Sequence, residues 1–187
     1  RMMLRISALA IAVVAAVGLW KKAWLPEKKC FRAGFFVYYT HLSNLFVLLY
    51  QLALGIAGWY SRTKRLLRWV YELVLGASGH DPDGGAYRWL SSPGVAVSVT
   101  LCIYVTHLIY AFVLIPSARR RGDESWLRGR FSFGNLCVHY VTPGLVVLQW
   151  LLWQDKTGLT VGHAAWWLVL PLAYFAFAML RARTGVP

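Results

Sequence analysis

The sequence predicts an all-α fold, a polytopic transmembrane helix bundle, on three observations. The chain has 187 residues and is 58% hydrophobic, against about 45–50% for a soluble domain. Its apolar residues fall into blocks separated by basic loops. Its 10 Trp, 10 Tyr and 9 Phe lie inside or at the edges of those blocks, as an aromatic belt at a membrane interface requires.

A hydrocarbon core about 30 Å thick takes about 20 helical residues, and five runs meet that length at about 4–20, 35–59, 95–115, 133–153 and 163–180. The first begins after Arg1 and near Arg5, like a signal peptide. Trp20-Lys21-Lys22 is a poor cleavage site, however, and four more runs follow, so the run reads as a retained helix. Pro143 and Pro171 fall within spans, where neighbouring helices can satisfy the backbone groups that a proline frees. Residues 1–187 form one domain. Within it, 61–94 is expected to be an interfacial helix over Lys64–Leu75, with a basic and an apolar side, followed by a Gly- and Asp-rich loop from Gly76 to Gly94. His80, Asp81 and Asp83 read there as a hydrated turn.

The formal net charge is +13. Basic loops beside apolar spans reflect topology and contact with anionic headgroups. Nucleic-acid binding is disfavoured, because the aromatics are not interleaved with Lys and Arg on a polar face. Cys30, Cys102 and Cys137 show no CxxC pairing, and their odd number argues against a disulfide framework. No spacing of Cys, His and carboxylates suggests a metal, and no cofactor is implied. With five spans, loops 21–34 and 116–132 share one side with the C-terminal tail. Their Lys and Arg excess leans toward that side being cytoplasmic. The chain is thus expected to be a multipass integral membrane protein, of the cell membrane if bacterial.

Two polar clusters interrupt the apolar runs: Tyr39-Thr40-His41-Leu42-Ser43-Asn44 and Asn135-Leu136-Cys137-Val138-His139. Ionisable groups at such depth are costly, and they survive where they face one another or a water-filled cavity. Thr40 is about five residues into its span and His139 about six. At ~1.5 Å per residue both lie roughly 7–9 Å below the same boundary. Thr40, Ser43 and Asn44 share one helix face, as do Asn135, His139 and Thr142. His107 and Tyr110 approach the boundary from the third span. Cross-helix hydrogen bonding by Ser, Thr and Asn as packing glue is the competing reading. His41 and His163 are expected nearer an interface, against headgroups or water.

A threonine hydroxyl becomes a nucleophile when a base takes its proton, and neutral imidazole is the usual base. Asn44 or Asn135 would hold a tautomer or donate to an oxyanion. A site open to lipid points to an ester with long acyl chains.

These two stretches, the latter continued through Tyr140-Val141-Thr142-Pro143, and Trp167-Leu168-Val169-Leu170-Pro171-Leu172-Ala173-Tyr174 resemble the androgen-induced membrane protein family and its bacterial relatives. The resemblance implies a threonine hydrolase of fatty acid esters of hydroxy fatty acids, or of a similar lipid ester. By motif, the family's essential Thr and His fall on Thr40 and His139. The family normally has six spans, so a sixth helix is expected to be missing here or replaced by a partner. The spacing from His139 to Pro143 is shorter than in the animal members. Two other classes fit the same residues. One is a haem-binding electron-transfer protein with His107 and His139 as axial ligands. The other is a non-catalytic lipid transporter or scaffold.

Overall fold

The described residues form seven helices, and their apolar lengths decide which of them could cross a membrane. The computed structural model describes residues 2–25, 30–31, 38–60 and 85–183. Helix α1 spans Met2–Ala23 and leads into a minimal antiparallel pairing of β1 (Trp24–Leu25) with β2 (Cys30–Phe31), Trp24 lying opposite Phe31. Helix α2 spans Tyr39–Tyr60, α3 is the short Gly85–Leu90, and α4 runs over Pro93–Arg120. Helix α5 is the short Glu124–Gly129, α6 spans Phe133–Trp153 and α7 spans His163–Arg183. Among the described residues, α1, α2, α4 and α6 are long and apolar enough to cross a membrane, and α7 is apolar over Trp167–Phe177.

The predicted spans therefore recur as helices, with corrections at their edges. The third runs on through Pro116 to Arg120 instead of ending near Ile115. The expected loops at 76–94 and 116–132 contain the short helices α3 and α5. The expected interfacial helix at 64–75, most of its following loop and Phe35–Val37 lie outside the described residues.

Helix α4 passes Pro116 by opening its hydrogen-bond ladder. A proline at 116 has no N–H for the carbonyl four residues back, and its ring crowds that carbonyl. Over Ile109–Leu114 the helix widens to π geometry, and the Ile115 N–H reaches the Tyr110 carbonyl, five residues back. Gly122, at φ 67°, then ends the helix. The Gly122 N–H bonds the Arg119 carbonyl and the Asp123 N–H the Ala118 carbonyl, both at 3.1 Å, which satisfies the last-turn acceptors. Asp123 caps α5 by accepting from the Trp126 N–H at 3.0 Å.

Helix α1 packs against α2 and α6, and α4 packs against the same two, so these four close a bundle; α7 lies against α4. The buried face of α1 sets the small residues Ala8, Ala12, Ala15 and Gly18 among Leu4, Ile11 and Leu19. Such faces let helix backbones approach closely where lipid offers no hydrophobic drive to association. Gly18 marks a close approach of α1 to α6: a Cβ there would lie 2.7 Å from Cys137 Cβ and 3.1 Å from Val138 Cγ1. The outward side chains are apolar, among them Val13, Phe112 and Leu152, and suit acyl chains.

Two outcomes follow from this packing. Gly18→Leu pushes α1 off α6 and lowers the melting temperature in detergent, at about 1–3 kcal/mol of overpacking; an unchanged melt contradicts the contact. Asp123 is partly exposed, and its carboxyl is held below the usual range, first by the Trp126 N–H and then by the Ser125 hydroxyl. A depressed folded-state value makes the cap's contribution present above an ordinary aspartate pKa of about 4. The contribution fades as pH falls through the folded value. Asp123→Ala therefore melts below wild type near neutrality, and the two melts converge at strongly acid pH.

Candidate functional site

Polar side chains at the basic end of the bundle tie three helices together. Asn44, fully buried on α2, donates both amide hydrogens. One goes to the Thr40 carbonyl at 2.8 Å and the other crosses to the Val138 carbonyl on α6 at 3.0 Å. This pins the Thr40 turn of α2 to the His139 turn of α6. Ser43 reaches the third helix: its hydroxyl lies 2.8 Å from the Thr106 hydroxyl and also donates to the Thr40 carbonyl at 3.1 Å.

The His139 turn owes its geometry to Pro143. That proline has no N–H to offer the carbonyl four residues back, which is that of His139. Helix α6 widens to π geometry over Cys137–Val141, and the Thr142 N–H takes the Cys137 carbonyl. The His139 carbonyl then accepts from His107 Nδ1 at 2.8 Å. A carbonyl only accepts, so Nδ1 of His107 carries the proton. Two π turns thus face each other, one with Tyr110 and one with His139. Their rings stack at 3.6 Å between centroids, 14° from parallel. Local π turns of this kind recur at functional sites.

The candidate nucleophile and base share this end of the bundle, yet no hydrogen bond joins them. The Thr40 hydroxyl bonds no described residue and lines a groove of 540 Å³ together with Tyr39, Ile109, Trp126 and Phe175. His139 is buried on α6, and its Nδ1 lacks a hydrogen-bond partner. Asn44 Oδ1 and Thr142 Oγ1 are likewise buried without partners. Three buried polar atoms on α2 and α6 are thus left open, where most buried polar groups are paired. Lys22, His41 and His107 are close enough to His139 to act on it electrostatically.

The remaining predicted site residues have other tasks. Asn135 accepts from Lys22 Nζ at 2.7 Å and donates to the Gly129 carbonyl at 2.7 Å, so it ties the end of α1 to the start of α6. The amide hydrogens of Asn44 are both engaged, as above. Asn44 therefore has no idle amide hydrogen for an oxyanion, whereas Asn135 commits one of its two hydrogens to Gly129. His107 and His139 do adjoin, but through a backbone carbonyl, and one face of the His139 ring is filled by Tyr110. His41, expected at the interface, is instead buried at 5% exposure and packs edge-on against Tyr38 at 5.5 Å. His163 holds Thr160, its Nδ1 accepting from the backbone N–H at 3.0 Å.

One polar layer went unread in the sequence. Gln51 donates to Gln149 Oε1 at 2.7 Å, and Gln149 donates to Ser7 Oγ at 3.0 Å. This links α2, α6 and α1 deeper in the bundle. The signal was present, since each glutamine stands alone within an apolar run, but a lone amide has no spacing to pair it. No family model, curated protein or solved structure matches the chain.

The tie between His107 and Pro143 is open to a double-mutant cycle. His107→Leu strips the His139 carbonyl of its donor and costs about 1–3 kcal/mol in unfolding free energy. Pro143→Ala restores a backbone N–H within reach of the same carbonyl. The cost of His107→Leu therefore shrinks in the Pro143→Ala background. Strict additivity of the two changes contradicts the shared carbonyl.

Proposed function

We propose that this chain is an intramembrane hydrolase of long-chain lipid esters, with Thr40 as nucleophile and His139 as general base. The observation that supports the reading is the joint placement of the two groups. Thr40, whose hydroxyl bonds no described residue, lines an apolar groove, on a turn pinned by Asn44 to the turn of a buried histidine whose Nδ1 has no hydrogen-bond partner. The likeness of these stretches to the androgen-induced membrane protein family points the same way. Membrane lipids are then both surroundings and substrate source, and the Lys- and Arg-rich end faces the cytoplasm.

The chemistry runs in two halves. Imidazole takes the Thr40 hydroxyl proton as the oxygen attacks the ester carbonyl carbon. The tetrahedral intermediate then expels the alcohol, which leaves with the proton from imidazolium, and the acyl group stays on Thr40. Water attacks that acyl-threonine with imidazole again as base, releasing the acid and restoring the hydroxyl. The resting hydroxyl and imidazole are not hydrogen-bonded, so substrate entry must close the Thr40 turn onto His139. Catalytic hydrogen bonds commonly tighten only in the complex.

Thr40→Ala and His139→Ala are each expected to lower turnover of a long-chain ester by roughly a thousandfold or more. Thr40→Ser, which keeps a hydroxyl, retains measurable activity. Melting curves in detergent confirm that each variant is folded. Full activity in either alanine variant removes that residue from the mechanism.

A further inference from the structure

Two cavities lie end to end along one cleft, with α4 and α7 as walls and α2 behind. The first, of 540 Å³, has Arg121 and Trp126 at its mouth and Thr40, Ile109 and Phe175 along its walls. The second, of 630 Å³, continues toward the other end of α4 between Phe46, Val99, Trp167 and Val169. Both fall within the size range of small-molecule sites, and both are lined mostly by carbon. Tyr39 belongs to the first wall and Cys102 to the second.

Those two residues meet between the cavities. The Tyr39 hydroxyl stands 3.3 Å from Cys102 Sγ and 3.4 Å from the Cys102 carbonyl oxygen. Its ring leans on Tyr174 of α7, with centroids 4.8 Å apart, so the phenol spans the cleft from α2 to both walls. The hold is weak. Thiol sulfur is a poor hydrogen-bond partner, and the carbonyl contact is long for an O–H···O bond. A turn about the Tyr39 side-chain bonds gives up these two contacts and the packing on Tyr174.

The mouth is chemically distinct from the walls. Arg121 is exposed there, with Nη1 donating to Ser117 Oγ at 2.6 Å and the Asp123 carboxylate within electrostatic reach. The serine contact steadies the guanidinium at the basic end of the bundle, where a lipid head would sit. Its planar donors match a carboxylate, and the apolar walls below it match a chain.

We propose that the cleft is an acyl-chain channel entered at Arg121 by a lipid with a carboxylate head, and that Tyr39 is the movable partition that sets how much chain it holds. The chain passes Thr40 before it meets the phenol. The proposal deepens the lipid-ester reading and rests on it for the bond that is cleaved, but the path of the chain is measurable without turnover.

The experiment uses the purified full chain in detergent and a long saturated fatty acid carrying a photoreactive diazirine at its terminal carbon. Adducts are located by peptide mass spectrometry. Wild type is expected to label the first cavity, on the peptides of Ile109 and Phe175, and not the segment Val95–Val99. In Tyr39→Ala the adducts shift to Val99 and Trp167. Tyr39→Phe keeps the ring and labels as wild type, and Tyr39→Leu provides a second opened form should the alanine variant fold poorly. Arg121→Gln lowers labelling by the acid several-fold but not by its methyl ester. Second-cavity labelling in wild type, or one unchanged pattern in Tyr39→Ala and Tyr39→Leu, overturns the partition. Equal labelling by the acid with and without Arg121 overturns the head-group contact. The same pattern in Thr40→Ala separates the channel from catalysis, because loss of turnover there leaves the chain's path intact.

Discussion

The amide of Asn44 decides how α2 and α6 meet. Both of its hydrogens are spent on backbone carbonyls, one in its own helix at Thr40 and one across the interface at Val138. In water such a bond is worth little net, because the partners bond solvent equally well. Between helices in lipid no solvent competes, though measured gains stay near 0.6–2 kcal/mol. Its value is geometric. The pin sets the depth and rotation of α2 against α6, and so fixes which side chains can share the basic end of the bundle. Gln51 and Gln149 repeat the device deeper in the same interface, so that two polar ties prevent the parallel helices from sliding.

Proline supplies the second constraint. Pro116 and Pro143 each withhold an N–H, and each lies just beyond a π turn. The two turns place Tyr110 and His139 face to face and expose the His139 carbonyl, which His107 then caps. A bundle of uninterrupted α-helices would keep that carbonyl inside the ladder and leave His107 without this partner. The irregular backbone thus adds a second tie between the third helix and the polar region, beside that of Ser43 with Thr106.

Much of this was legible in the sequence, for physical reasons. Span positions follow from the ratio of bilayer thickness to helical rise, and α1, α2, α4, α6 and α7 sit close to where apolar run length puts them. The shared depth of Thr40 and His139 followed from topology alone, and so did the approach of His107 and Tyr110 from the third span. What stayed hidden depends on direction around the helix axis. A π turn rotates every later side chain, so the continuation of α4 past Pro116 and the flat stack of Tyr110 on His139 had no signature in periodicity. The burial of His41 and the engagement of both asparagines depend on neighbours far apart in sequence, such as Lys22 and Gly129 for Asn135. Tyr39, counted in the motif only as a flank, proved to be a wall of the groove.

The account stands or falls on whether the Thr40 hydroxyl is the group that attacks the ester. A fluorophosphonate with a long alkyl chain reports this directly, since it forms a stable adduct only on an activated hydroxyl. Mass spectrometry of the labelled protein is predicted to place the phosphonate on Thr40, with labelling lost in His139→Ala. An adduct on another residue, or none on wild type under conditions where ester turnover is observed, would contradict it.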